Sequence, residues 1–389
     1  MVNFQDTKIA FERKTDLQLK KTAWLFGMMS KPWLVNLGSR LTLLGLNIGL
    51  PIKGLIKNTI FEQFCGGTSL EESLKTVHEL SALDVETVLD YGAEAKESET
   101  DFDNTLAQFL KVVDFAAENK SVEIVPIKVT GMARFDILEK LSAGKTLTVE
   151  EQKSWEGTVA RLDKLCRIAN EKKTALFIDA EESWIQQAID DITDLMMLRY
   201  NKNGVVVYNT FQMYRHDRLE FLKKSYETAI SNGYILGAKL VRGAYMEKER
   251  ERALKLGYPS PIQPDKTATD RDYNLAVAFC IQHYKQIASC LASHNQGSTE
   301  LQIELMEKMN LTKNHPNLSF CQLYGMSDNL TFNLAKAGYR VGKYVPFGPI
   351  SDVIPYLIRR ARENSSVNGE VGRELKMIRE ELKRRTGSK

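Results

Sequence analysis

Short runs of β-branched or apolar residues recur along the chain, at 85–89, 122–129, 174–178, 204–208, 236–241, 287–292, 318–323 and 339–345. Such runs, bounded by polar turns, predict strands. Between most of them lies enough polar-periodic chain for a helix, with 150–170 and 219–232 the clearest examples. Strands that alternate with helices imply a parallel sheet. Eight such repeats imply closure into an α/β fold of the (β/α)8 TIM-barrel type, in preference to an open doubly wound sheet. An open sheet of that kind usually carries a glycine-rich dinucleotide turn, and no GxGxxG occurs. Residues 1–80 read as helical, with amphipathic stretches near 15–26 and 69–81, and Gly66-Gly67 with Thr68 predict a turn and an N-cap. The expected organisation is an N-terminal helical arm, 1–80, followed by a barrel, 81–389.

The strand ends concentrate candidate chemistry, because barrel enzymes gather function at the C-terminal ends of their strands. The second strand is expected to end at Lys128, Asp179 follows the third run, and Gln212 lies beyond the fourth. The fifth leads into KLVRGAY, with Arg242, Gly243 and Tyr245; the sixth into SHN, with His294 and Asn295; the eighth carries Lys343 and Tyr344. Any one of these could be an ordinary solvated cap, but together they mark one face. The segment after the last strand, SDVIPYLIRRARENS, predicts a helix with Ser351 as N-cap. Arg359 and Glu363 are four apart and Arg360 and Glu363 three, so they share a face. A surface ion pair of that kind contributes under about 1 kcal/mol. Held away from water, two adjacent guanidiniums can instead grip one small carboxylate. Gly144-Lys145-Thr146 ends like a phosphate loop, but the first glycine is replaced by Glu139, so a helix-terminating turn is expected there.

Composition excludes more than it identifies. Of 389 residues, 43% are apolar and 26% charged, and 53 basic against 50 acidic residues leave a net charge of +3. A core is feasible, and a nucleic-acid partner is not indicated. Five widely spaced cysteines form no CxxC, so they are expected as core residues in a reducing compartment. The five histidines lack metal-ligand spacing, and no metal is expected. The start, MVNFQDTKIAFERKTD, reads as neither a signal nor a transit peptide, so a cytoplasmic location is expected. The apolar stretch 41–56 is interrupted by Pro51, Lys53 and glycines and is too short to span a bilayer; it reads first as a buried helix and turn, second as a surface touching a membrane.

The run YNTFQMYR, GAKLVRGAYMEKER, SHN, QLYGM, KYVPFGP and PYLIRRARENSS, in this order and spacing, resembles the proline dehydrogenase family, and its monofunctional, eukaryote-like branch in particular. The resemblance is strong over 128–366 and weak over the N-terminal third. It implies a barrel enzyme with non-covalent FAD that oxidises L-proline to 1-pyrroline-5-carboxylate by hydride transfer from C5 to flavin N5. It also implies quinone as electron acceptor and hence a peripheral contact with the inner membrane. Carried over by motif, Gln212, Lys239, Val241, Arg242, Gly243, Met246, Ser293, His294, Asn295 and Glu363 are cofactor residues. Arg359 and Arg360 are implied for the proline carboxylate, Tyr344 and Leu323 for its ring, and Tyr245 for closing the pocket. Lys128 and Asp179 are implied as a charged pair beside the substrate. Three positions depart from the pattern: Lys239 replaces an arginine, Met246 an aromatic residue and Ser293 a threonine. Tyr344 is the residue associated with proline, where hydroxyproline-oxidising relatives carry serine. Two readings stay beside this one: another flavin barrel such as a methylenetetrahydrofolate reductase, and a non-catalytic barrel that docks through residues 1–80.

Overall fold

The apolar runs become strands that cross the core of a computed structural model, which describes residues 2–48, 50–92, 96–366 and 370–387. These are β1 (Glu86–Tyr91), β2 (Val122–Ile127), β3 (Ala175–Ile178), β4 (Val207–Gln212), β5 (Leu236–Val241), β6 (Ile287–Ala292), β7 (Leu318–Leu323) and β8 (Val341–Phe347). They close into a barrel in chain order, with parallel pairing from β2 to β7. Apart from β4, the strands agree with the apolar runs to within about two residues at each end, with β1 and β8 running on beyond their expected C-terminal ends.

The largest shift is at β4, expected at 204–208 and found at Val207–Gln212. Asn209, Thr210 and Gln212 look like the polar exit from a strand, yet all three are buried within it. Their hydrogen bonds explain why: Asn209 donates to Asp190, and the Thr210 hydroxyl donates to the carbonyl of Ile178 on β3. A buried polar group that is satisfied costs little, so apolarity understates the strand.

The chain folds as two compact units, Met1–Thr87 with Gln322–Lys389, and Val88–Cys321. In the second, buried Leu, Ile and Phe side chains of β2 to β7 pack against helices such as Val149–Lys172. That helix starts in a reciprocal capping box between Thr148 and Glu151 and stops at Lys173 in a left-handed conformation. As expected, Gly144 (φ +67°) ends the helix Phe135–Ser142 in an ordinary C-terminal turn. All five cysteines are buried thiols.

In the first unit, Phe11, Leu19, Phe26 and Phe64 pack with Val353, Leu357 and Ile378, so the N-terminal helices share a core with the last two. The helix Asp16–Met29 opens in a second capping box, at Thr15 and Gln18. The N-cap of Leu70–Ser81 is Ser69, one residue after the expected Thr68, whose hydroxyl instead donates to Glu72. The helix Ile350–Ser366 begins one residue before the expected cap Ser351, whose hydroxyl donates to Asp352.

The stretch 41–56 corrects the first expectation made for it. Leu41, Leu43, Leu44, Ile48, Leu50 and Leu55 are exposed (Gly49 lies outside the described residues), and among the described residues only Gly45 and Ile56 are buried. The helix Pro32–Asn47 is apolar on two faces: Val35 and Ser39 point into the core, while Trp33, Leu37, Leu41 and Leu44 form a second stripe on the outside. No helix among the described residues is long and apolar enough to cross a membrane.

Candidate active site

In the unit Val88–Cys321, the ends of five strands, β2 to β6, supply polar groups. Asp179 follows β3 directly, and its carboxylate accepts a 2.6 Å hydrogen bond from Lys239 on β5. Both side chains are about nine-tenths buried, and the ammonium also lies 5.1 Å from the centre of the Phe177 ring. The sheet register sets Lys239 level with Thr210 on β4 and Cys290 on β6, and sets Val241 level with Gln212. Lys128, half-buried, follows β2 and heads a short turn, Val129–Gly131.

Gln212 ends β4 with its amide buried. The amide nitrogen donates to the carbonyl of Glu181 at 3.2 Å, while the side-chain carbonyl oxygen has no hydrogen-bond partner. A buried acceptor left unmet costs about 1–3 kcal/mol. It suits a donor group supplied from outside the chain.

Glu181 is a residue that sequence reasoning misses. Within IDAEES the sequence points to Asp179, but the structure buries the second acid as well. Burial pushes the Glu181 carboxyl up to about 7, against two hydrogen bonds from Thr130 and the charge of Lys128. Three acids stand in four positions there and all three are buried, and nothing in their order tells which one burial pushes up.

Past β5, Arg242 is held by protein groups on every side. It donates to Asp270 at 2.8 Å, to the Ser293 hydroxyl at 2.6 Å and to the Ser298 hydroxyl at 3.0 Å, and its guanidinium stacks 4.2 Å over Tyr273. Ser293 also accepts from the Asn295 backbone, and Asn295 caps the helix Gln296–Lys308 by accepting from Ser298. The SHN motif, including His294, is therefore the shaped entry to a helix, tied to β5 through Arg242. Gly243 sits at φ +136°, and a Cβ there would stand 2.4 Å from the Tyr214 ring. The glycine is thus already required by a protein side chain. Tyr245 precedes the helix Met246–Leu256, and Met246 is exposed.

In the other unit, Leu323 ends β7, and Tyr344 is buried within β8. Lys343 and Tyr344 were expected to cap β8, but the strand runs on to Phe347. The extension arises because Pro346 and Phe347 pair with 66–67: the Gly66 amide donates to the Pro346 carbonyl at 2.8 Å, and Gly67 bridges Phe347.

Arg359, Arg360 and Glu363 lie on the helix Ile350–Ser366. The Arg360 guanidinium forks onto both Glu363 oxygens, at 2.6 and 2.5 Å. Arg360 is only 8% exposed, so this is no surface pair, and its Nε is buried without a partner. Burial raises the Glu363 pKa, and Arg360 and Arg359 oppose that rise. The fork shows that this guanidinium is presented in the geometry that a carboxylate needs.

Known proteins share the family and the fold. A family model described as "Proline dehydrogenase" matches residues 73–373. The mitochondrial proline dehydrogenase 1 of Dictyostelium discoideum is 31% identical over 384 residues, which covers 87% of this chain and 67% of that protein. The hydroxyproline dehydrogenase of Xenopus laevis is 30% identical over 426 residues, covering 99% of this chain and 90% of that one. Among solved structures, proline utilization A from Bdellovibrio bacteriovorus, inactivated by N-propargylglycine, superposes with a TM-score of 0.73 at 24% identity. The match covers 82% of this chain and only 34% of the solved one.

Proposed function

The chain belongs to the proline dehydrogenase family, and from that premise we propose that it oxidises L-proline to 1-pyrroline-5-carboxylate with a non-covalently held FAD. The observation that carries this reading is the Gln212 side-chain carbonyl, buried and without a partner beside the cationic Lys239. Paired in register, β4 offers an acceptor at Gln212 and β5 a positive charge at Lys239. A flavin ring presents both N–H and carbonyl groups and takes on negative charge when reduced, so this donor and acceptor set suits it.

FAD supplies the acceptor for the hydride that leaves proline C5. Gln212, Lys239, Val241 and Gly243 would hold its ring; Arg242, Met246, Ser293, His294 and Asn295 the remainder; and Glu363 a hydroxyl. Arg242 acts there through Ser293 and the helix entry that it braces. Arg359 and Arg360 bind the substrate carboxylate, and Glu363 keeps the buried Arg360 fork satisfied and correctly aimed. Leu323 and Tyr344 pack against the proline ring and exclude water from it. In the second unit, Tyr245 covers substrate, and Lys128 and Asp179 set the charge beside it, with Asp179 oriented by its bond to Lys239. Accurate placement of C5 contributes most of the acceleration in such a scheme.

An anaerobic absorbance titration tests the reading. Flavin bands that bleach with L-proline and not with D-proline are the expected result. A bound flavin indifferent to L-proline would move the assignment to another flavin barrel chemistry, and bleaching only by 4-hydroxyproline would move it to the activity named for the Xenopus relative. A protein that takes up no FAD would remove the reading.

Electrons then leave to quinone, and the N-terminal helices support a membrane contact for that step. Between Leu17 and Phe61 the sequence holds six Lys or Arg residues and no Asp or Glu. Trp24, Trp33, Leu37 and Leu41 are more than 45% exposed on the same helices, with Lys20, Lys31 and Arg40 exposed beside them. Interfacial Trp and Leu with a basic rim suit an anionic lipid surface.

A further inference from the structure

Lys343 is fully buried, although the reaction above assigns it no part. Its ammonium has three acceptors around it. It donates to the carbonyl of Leu323 at 3.3 Å and to that of Met326, and it pairs with Asp328 at 3.0 Å. Two carbonyls thus accept from the ammonium and a carboxylate balances its charge. The three acceptors all belong to the turn that joins β7 to the helix Asp328–Lys336. The same turn is tied to β8 a second time, by the Tyr324 amide on the carbonyl of Tyr344, at 2.9 Å.

That turn is held in a costly shape. Gly325 has φ +76° and Ser327 has φ +50°, the latter in the left-handed region without the freedom of glycine. From the other side Gln63 donates to the Gly325 carbonyl at 2.7 Å, and a Cβ on Gly325 would stand 1.9 Å from the Gln63 carbonyl oxygen. Gln63 on one side and Lys343 on the other thus hold the turn in this shape.

Asp328 gathers further positive charge. Its other oxygen lies 3.2 Å from Lys14 and 3.6 Å from Arg13. Burial pushes its pKa up, but Lys14, Lys343 and Arg13 outweigh burial and hold the carboxylate well below its usual range. Arg13 also stacks on Tyr324 and Phe332 at 5.4 and 5.2 Å. The start of the chain is anchored to the same helix, since Asn329 and Asn333 donate to the carbonyls of Phe4 and Asp6. From the far end Arg385 donates to the carbonyls of Phe11 and Lys14.

Desolvating several charges is a poor way to gain stability, because well-packed apolar residues do as well or better. What a buried charge cluster does supply is direction: ion pairs and carbonyl contacts fix positions that apolar packing leaves adjustable. Here the fixed positions are the carbonyl of Leu323 and the strand segment carrying Tyr344. We propose that Lys343 and Asp328, backed by Arg13 and Lys14, are positioning residues that set the spacing between Leu323 and Tyr344 and so the ring size the enzyme accepts. This inference rests on the reading of Leu323 and Tyr344 as the residues that pack on the substrate ring.

The test compares L-proline with its six-membered homologue, L-pipecolate, using purified flavin-loaded enzyme and rates expressed per bound flavin. The double variant Lys343→Met with Asp328→Asn removes both charges of the central pair together, and leaves Arg13 and Lys14 at its outer edge without their carboxylate. The expected result is a KM for L-proline raised about tenfold, and a preference for proline over pipecolate that falls at least about fivefold, since displacement by a fraction of an ångström is enough for such losses. General destabilisation would lower both rates together and leave the preference unchanged per flavin, and that outcome overturns the proposal. If the double variant yields no flavoprotein, Arg13→Met decides in its place, because it loosens the same cluster from its outer edge. A shifted preference there sustains the proposal, and an unchanged one overturns it. An unaltered enzyme that L-proline fails to reduce would overturn the substrate reading and the clamp's role with it. A working enzyme beside a variant of unchanged preference overturns the clamp alone.

Discussion

Arg359 and Arg360 are neighbours in sequence with different surroundings. Arg360 is committed to Glu363 through a two-pronged ion pair, whereas Arg359 is half-buried and one step around the helix. Arg359→Ala should therefore remove substrate affinity without disturbing that pair. Loss of one charge-assisted carboxylate contact, about 2–3 kcal/mol, raises the proline KM roughly thirty- to a hundred-and-fiftyfold. Steady-state kinetics with flavin content measured in parallel checks this, and an unchanged KM would remove Arg359 from carboxylate binding. Glu181 yields a pH prediction. Its folded pKa lies near 7 and its ordinary value is 4.5. The folded state thus keeps a proton that the unfolded state releases, so the contribution to stability is complete below about pH 4.5 and fades as pH rises towards 7. Unfolding midpoints of the wild type and of Glu181→Gln, measured from pH 5 to 8, should diverge, with the wild type losing on the order of 2 kcal/mol relative to the variant. Parallel curves would place the Glu181 titration elsewhere. The two residues differ in legibility for a physical reason. Consecutive arginines facing a glutamate on one helix turn are a pattern in sequence, while the inward turn of Glu181 depends on Thr130, 51 positions away.

Elements were legible where burial and local chemistry agree. The helix Val149–Lys172 carries its own start signal, and Thr148→Ala should cost about 1 kcal/mol in a urea titration, through loss of the hydroxyl that accepts from Glu151. No loss would mean that tertiary packing alone fixes that end. Elements were misjudged where the two disagree. β4 continues through Asn209 and Gln212 because neighbouring strands and helices satisfy them. β8 carries a charged lysine through the core because the β7 turn folds three acceptors around it. A pattern of apolar positions registers neither form of compensation, since both come from residues distant in sequence. The outward stripe on Pro32–Asn47 is the opposite case. Its hydrophobicity was plain, but which of two apolar faces would be covered by the chain itself was not.

For the whole molecule, averages conceal what segments show. A net charge of +3 argues against a charged partner, yet the stretch from Leu17 to Phe61 is basic throughout and the rest of the chain is net acidic. Clustered in that way, the basic residues face an anionic surface without the penalty of a globally basic protein. Each lysine or arginine near such a surface contributes about 1 kcal/mol, lost as salt screens it. The apolar stripe adds contact that salt does not weaken. The two contributions can be separated by sedimentation with vesicles. The flavin-loaded enzyme should pellet with vesicles containing anionic lipid and remain in solution with purely zwitterionic ones. Raising salt should weaken the binding without abolishing it. Trp33→Ser with Leu37→Ser and Leu41→Ser should abolish it at every salt concentration, while L-proline still bleaches the flavin, because these side chains point away from the core that holds Val35. If the triple variant pellets like the parent, the stripe is not the lipid contact. If it also loses bleaching by proline, the stripe serves the fold of this unit and not its docking.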